Sequence, residues 1–358
     1  IISISDTIRK DVYEALDLFK KNGIGFKILS GDSGEAIMAI LNEIGWKITI
    51  DQITTGNELD KLSKDEFKKI VLTKQVFARL KPEHKLEIIK TLKKEKIYTA
   101  MIGDGVNDLP AIKKSDMGIA MEEGSAITKE VADIILLKNR FSLLPEIFNE
   151  GNKIVNTVNS IAKLFLTKNF LVIYLSLLSL IFMLDFPLTP RRVSLLNVFA
   201  IGLPALILTL KNKNLNKCLN FIKDTFSFVG ISSVIIIAGG YIGLYFASLG
   251  NNSSNAELDM VMVTIIIFIS VMNFIIVALE TREKNTIYLL YGISLLVIYI
   301  FLATTKIPFS FIKLLKIFYE IKHINPEHWW VIISVSFISS IVLYIAHKIR
   351  EKFIIPKI

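Results

Sequence analysis

The sequence predicts an α/β, doubly wound, mostly parallel domain followed by an all-α domain of six transmembrane helices. Two patterns and one break predict it. Strand, tight loop and helix alternate up to about residue 140, and six apolar blocks of bilayer length follow. Near residue 155 a globular mixture of charged and apolar residues gives way to long apolar runs, which is a change of solvent. With 52% hydrophobic residues among 358 and a mean hydropathy of +0.52, an ordinary soluble domain is excluded.

The elements of the first part follow in order. Apolar residues at helical spacing (Ile8, Val12, Ala15, Leu16, Phe19) predict a helix over 7–22, with Asp6 as N-cap and Gly23 as the stop. FKILS at 26–30 reads as a strand, Gly31-Asp32 as a tight loop, and Ser33 to about Ile44 as a helix ended by Gly45. KQVFARL at 74–80 is a second strand, and Pro82 starts a helix through about Lys94. IYTAMI at 97–102 leads into the loop GDGVND, a short helix over 109–114, a strand at 118–121, a helix over 125–132 and a last strand at 133–137.

In an open parallel sheet the ligand site lies outside the carboxyl ends of the strands, and SGD (30–32) and GDGVND (103–108) both sit there. Asp104 and Asp108, on one tight glycine loop, suit a hard cation such as Mg²⁺, which takes one or two carboxylates together with water and phosphate. Asn107 can bond a phosphoryl oxygen; the plainer reading makes Asp108 a helix cap. Ser30 and Gly31 offer a hydroxyl and an N–H at a helix start, where phosphate binds, although Asp32 can equally cap that helix. Lys85 stands in a first helical turn, where a cation opposes the helix dipole, so it serves either a phosphate or only the solvent.

The strings DTIRK (6–10), ILSGD (28–32), VFARLKPEHK (76–85), MIGDGVNDLPAIKKSDMGIAM (101–121) and VADIILL (131–137) together resemble the P-type ATPases, a branch of the haloacid-dehalogenase-like phosphotransferases. The resemblance implies that residues 1–140 are a phosphorylation domain and 141–163 a stalk helix. In it Asp104 coordinates magnesium, with Asp108 and Asn107 in support, and Ser30, Gly31 and Asp32 contact the transferred phosphoryl group. Lys85 neutralises phosphoryl oxygens, Arg79 holds nucleotide, and Asp6 and Arg9 form a hinge and nucleotide-contact pair. It also implies ATP and Mg²⁺ as cofactors. The family's nucleophile lies in an Asp-Lys-Thr-Gly-Thr string on the first strand, and no such string occurs here. The chain lacks an initiator Met and any signal-peptide pattern, and starts in a strand-like run, so it is expected to be the carboxyl-terminal part of a pump.

The apolar blocks run at about 164–184, 193–210, 226–248, 261–279, 287–304 and 329–347, within a membrane domain of 164–349 that a tail of 350–358 follows. Basic residues favour the loops on the side of the first domain, so the net charge of +9 is a topology signal and no nucleic-acid partner is expected. The lone Cys218 excludes an internal disulfide or a CxxC metal site. From Phe141 to about Leu184 the pattern predicts one long helix, or two broken near Gly151. FPLTPRR and LLNVFAIGLPALILTL resemble the fifth-to-sixth-helix loop and sixth helix of type II pumps, and Pro204 is expected to interrupt that helix. Acids common in those helices are absent, so Asn169 and Asn197 are the candidate ligands for a transported ion. Asn273 is expected to join helices, Asp259 and Glu280 to be solvated ends, and 308–323 to form a helix in the outer interface.

These readings converge on an ATP-driven cation pump in a membrane, multi-pass and of bacterial plasma-membrane type, with the first domain cytoplasmic and calcium or another divalent cation as cargo. A membrane-tethered phosphohydrolase and a non-catalytic half-pump are the alternatives.

Overall fold

The computed structural model describes residues 11–43, 45–46, 48–211, 220–249, 254–280, 285–305 and 310–353. The chain divides into two compact units, Ile1–Phe148 and Asn149–Ile358. Asp6 and Arg9 lie outside the described residues.

In the first unit α1 (Asp11–Lys21), β1 (Ile28–Leu29), α2 (Gly34–Glu43), β2 (Ile53–Thr55), α3 (Gly56–Leu59) and α4 (Lys64–Thr73) come first. They are followed by β3 (Val76–Ala78), α5 (Pro82–Lys94), β4 (Ala100–Gly103), α6 (Leu109–Lys114), β5 (Met117–Met121), α7 (Ala126–Val131) and β6 (Ile134–Leu136). All ladders among the described residues are parallel. β1 and β2 flank β3 in one sheet of three strands, and β4 and β6 flank β5 in another.

Among the described residues the expected single sheet is therefore two half-sheets, with β1 and β2 as the edges of one and β4 and β6 of the other. Leu29 of β1 packs against two core clusters, one that includes Phe77, Ile88 and Leu92 and one that includes Met101 and Ile112. Helix α5 belongs to both clusters, through Ile88 and Ile89. The strands are shorter than the apolar runs because the chain turns early: Arg79 takes a left-handed φ of 50°, which ends the β3 ladder at Ala78. Segment 46–73, for which no element is predicted above, forms β2, α3 and α4. Its helices start on capping boxes, Thr55 with Glu58 and Ser63 with Glu66.

The second unit is helical. Helix α8 (Leu143–Phe182) runs unbroken through Gly151 for 40 residues, about 60 Å at 1.5 Å per residue. After it come α9 (Pro190–Asn197), a π-turn at Val198–Gly202 and α10 (Leu203–Lys211), then α11 (Phe221–Ser248), α12 (Asn255–Glu280), α13 (Asn285–Thr304), α14 (Ser310–Phe318) and α15 (His328–Phe353). The π-turn is the interruption expected ahead of Pro204. Among the described residues six helices are long and apolar enough to cross a membrane: α8, the α9–α10 pair, α11, α12, α13 and α15. Helix α12 is the hub, with 89% of its apolar window buried. Helix α14 exposes Phe311, Leu314, Ile317 and Phe318.

Two expectations fail here. Glu280 and Asp259 are not solvated ends, because buried cations reach them. Arg192 donates to Asp259 at 3.0 Å. Glu280 belongs to a closed ring of alternating charge: Lys163 lies 2.7 Å from Asp224 and 2.5 Å from Glu280, and Arg350 pairs with the same two carboxylates. The ring ties α8, α11, α12 and α15, and its zero net charge is what makes its burial tolerable. Asn273 joins helices as expected, accepting from Ser232 of α11 at 2.8 Å.

Candidate active site

The site is built from loops at the carboxyl ends of β1, β3 and β4. The Ser30 amide continues the ladder onto Phe77 O, and the chain then turns so that Ser30 Oγ donates to Asp32 Oδ2 at 2.8 Å. The exit of β3 clasps this turn, since Arg79 N donates to Asp32 O at 2.9 Å and Leu80 N to Ser30 O at 3.0 Å. Gly31 lies beside it, 3.8 Å from Leu80 O to where a Cβ would stand. Arg79 is thereby held in its left-handed conformation with its side chain exposed at the rim.

Helix α5 starts at once, with Pro82 in its first turn, and carries Lys85 inward. Lys85 is only 8% exposed and donates to Asp108 Oδ1 at 2.6 Å. The pairing explains a lysine in a first helical turn, because the carboxylate outweighs the helix dipole. The second oxygen of Asp108 lies against Gly103, where an added Cβ would come within 2.7 Å of it. Gly103 is therefore a close-approach glycine: any side chain there would displace Asp108.

Asp104 stands at the end of β4 with its side chain exposed, as does Asn107. Its backbone is fixed from the far side: Ser125 N donates to Asp104 O at 2.9 Å and Thr128 Oγ1 to Gly105 O at 3.2 Å. Gly124 permits this closure, since an added Cβ would meet Asp104 O at 2.7 Å. The sequence reading missed Gly124, Ser125 and Thr128 as supports. Their signal was the string GSAIT, a turn followed by a serine N-cap, which the structure forms as Ser125 Oγ accepting from Thr128 N. It also missed His84 and Asp60, whose side chains bond at 2.9 Å and brace the turn into α5 while His84 Nδ1 accepts from Lys81 N.

The loops thus bring Ser30, Gly31, Asp32, Arg79, Lys85 and Asp108 into one connected set through α5, with Asp104 and Asn107 on the same loop as Asp108. No group of three or more acids, histidines or cysteines gathers among the described residues. The oxygens of Asp104, with what remains of Asp108, fit an ion that takes few protein ligands and completes its shell from phosphate and water.

In the second unit a small cavity of mixed lining opens between α8, α9, the π-turn and α12, with Thr167, Lys168, Ser270 and Asn273 alongside Leu164, Leu171, Leu196 and Ala200. The predicted ligands do not line it. Asn169 is half-buried, and Asn197 keeps its Oδ1 buried with no protein partner.

Residues 1–116 match the haloacid dehalogenase-like hydrolase family. The chain is 33% identical over 217 residues to the probable cation-transporting ATPase exp7 of Streptococcus pneumoniae, covering 58% of this chain and 27% of that protein. It is 30% identical over 265 residues to the calcium-transporting ATPase CtpE of Mycobacterium tuberculosis, covering 68% and 32%. It is 34% identical over 208 residues to the human calcium-transporting ATPase type 2C member 1, covering 57% and 22%. The matched region thus spans between about a fifth and a third of the length of these relatives. A haloacid dehalogenase-like domain with these loops, six helices of membrane-crossing length and these matches together place the chain in the P-type ATPase family.

Proposed function

We propose that this chain is the phosphoryl-handling and membrane-crossing part of an ATP-driven cation pump. The observation that carries the reading is the buried Lys85–Asp108 pair: its lysine is on the helix that follows the β3 exit clasping the Ser30–Asp32 turn, and its aspartate shares a loop with the exposed Asp104. Phosphoryl transfer is catalysed mainly by positioning and charge neutralisation, and each of these side chains supplies one or the other.

In this reading the Ser30 hydroxyl and the Gly31 amide orient the phosphoryl oxygens, and Lys85 offers them a cation that Asp108 holds in place. Asp104, with Asp108, would hold magnesium. Bound there, magnesium would spread the charge of the transferred group. Asn107 orients phosphoryl oxygens, and Arg79, at the rim, holds nucleotide, as Asp6 and Arg9 would from outside the described residues. The nucleophilic carboxylate of this reaction would belong to an Asp-Lys-Thr-Gly-Thr string, which does not occur in this sequence.

The membrane unit would receive the motion through α8, a single helix whose sequence starts within the first unit and continues into the apolar region. The cargo is an inorganic cation, with calcium the first to test because two of the matched relatives carry that name. The first unit lies in the cytoplasm of a bacterial-type cell, on the side of the more basic loops.

The test is ATP-dependent ⁴⁵Ca uptake by vesicles containing the full-length protein, with Asp104→Asn as the control. Uptake lost in the variant supports the pump. ATP hydrolysis indifferent to every cation offered supports a membrane-tethered phosphohydrolase, the reading that the acid-free lining of the small cavity favours.

A further inference from the structure

Next to the charge ring lies a second polar array that phosphoryl transfer does not use. His347 of α15 is 2% exposed, Ser232 of α11 0% and Asn273 of α12 2%. Ser232 Oγ lies 2.8 Å from Asn273 Oδ1 and 2.8 Å from His347 Nε2.

The hydrogens of this thread follow from counting. A hydroxyl has one hydrogen, and the amide oxygen of Asn273 can only accept, so Ser232 donates to Asn273. Nε2 of His347 must then carry the hydrogen that Ser232 accepts. Nδ1 is left with a lone pair, and it is buried with no hydrogen-bond partner in the protein. A buried acceptor without a donor is a costly arrangement that calls for a ligand.

Each end of the thread meets a cavity. His347 lines one with Tyr344, Lys348 and Glu351. Asn273 lines the other with Thr167, Lys168 and Ser270. We propose that His347 Nδ1 is a proton-binding site that the Lys348–Glu351 cavity feeds, and that Ser232 couples its charge to the cavity at Asn273. A hydronium ion gives its proton to Nδ1 and leaves as water; the Nε2–H and Ser232 O–H bonds stay intact, so only charge is added. That charge turns the bond to Ser232 into a charge-assisted one and opposes a cation in the neighbouring cavity. Proton and cation therefore compete, each weakening the other to the same extent.

The charged groups around His347 are paired with one another, so a proton there changes the net charge of the region by one. Phe228 stacks on the imidazole with centroids 4.0 Å apart, and Lys163 and Arg350 stand over the same Phe228 ring at 5.2 and 5.0 Å. Asp224 of α11 and Glu280 of α12 balance those two cations, while Lys348 and Glu351 of α15 balance each other at 3.5 Å. A proton on His347 thus adds one positive charge beside a ring that is otherwise balanced, with Lys168 at the far cavity the other cation along the thread. The inference rests on the pump reading only in assigning the Asn273 cavity to a cation.

The experiment is nitrogen NMR of the full-length protein in lipid nanodiscs with ¹⁵N-labelled histidine, the His347 signal being identified by its loss in His347→Gln. Expected are a neutral Nε2–H ring, conversion to imidazolium on acidification, and a midpoint about one pH unit more acid in calcium chloride than in sodium-free, calcium-free buffer. Ser232→Ala should keep the titration and lose the calcium effect. An Nδ1–H ring, no imidazolium before unfolding, a midpoint that calcium and sodium both leave unmoved, or an undiminished calcium effect in Ser232→Ala would overturn the proposal. None of these signals requires ATP hydrolysis, so an inactive ATPase and a wrong proton site are told apart.

Discussion

Lys85 and Asp108 meet across 2.6 Å with side chains only 10% and 13% exposed, and this pair joins the helix that leaves β3 to the loop that leaves β4. Neither charge has water to fall back on. Lys85→Met should strand the carboxylate and cost about 3 kcal/mol of stability. Denaturant unfolding of the full-length protein measures it, and Lys85→Met combined with Asp108→Leu should recover most of the loss.

Asp104→Asn should behave in the opposite way. Its side chain is exposed and its backbone is held by Ser125, so stability should stay within about 0.5 kcal/mol of the parent. Phosphorylation from ATP should fall by a factor of about a hundred or more, and restoring it by raising magnesium would place the Asp104 contribution in ion affinity.

The two variants also mark what the sequence made legible. Asp104, Asp108, Ser30 and Asp32 could be seen because oxygen donors clustered at strand ends, where topology concentrates ligands. The partner of Lys85 could not, since it lies 23 positions away and only the packing of α5 brings it close. The same limit hid the charge ring: Lys163, Asp224, Glu280 and Arg350 sit on four helices, and each alone reads as a polar helix end. The division into two half-sheets was equally unreadable, because strand strings carry no statement of which edges stay open.

Asp116 supplies a pH test. The hydrogen bond from Lys93, at 2.8 Å, and then that from Thr99 N hold its carboxyl below the usual carboxylate range. A depressed folded-state value stabilises the folded form above the unfolded-state pKa, and that contribution is lost as pH falls below about 4. The protection of the Met117 amide, which bonds Thr99 O at 3.1 Å, against hydrogen exchange, measured relative to the intrinsic rate at each pH, should therefore fall in acid. In Asp116→Asn that added acid sensitivity should disappear.

Glu280→Gln removes one of two carboxylates from the ring and leaves Lys163 and Arg350 sharing Asp224 alone. Loss of about 3–5 kcal/mol is expected, read as a lower thermal midpoint in nanodiscs. Pairing it with Lys163→Met, which restores neutrality, should regain part of the stability.

The open edges of β1 and β4 carry a consequence for handling the molecule. Among the described residues each pairs on one side only, as β2 and β6 also do, and an unpaired strand edge is an arrangement able to recruit another strand. A preparation of this chain alone should self-associate edge to edge, and a peptide able to add a parallel strand should suppress that. Solubility would then report on how far those strand edges are covered.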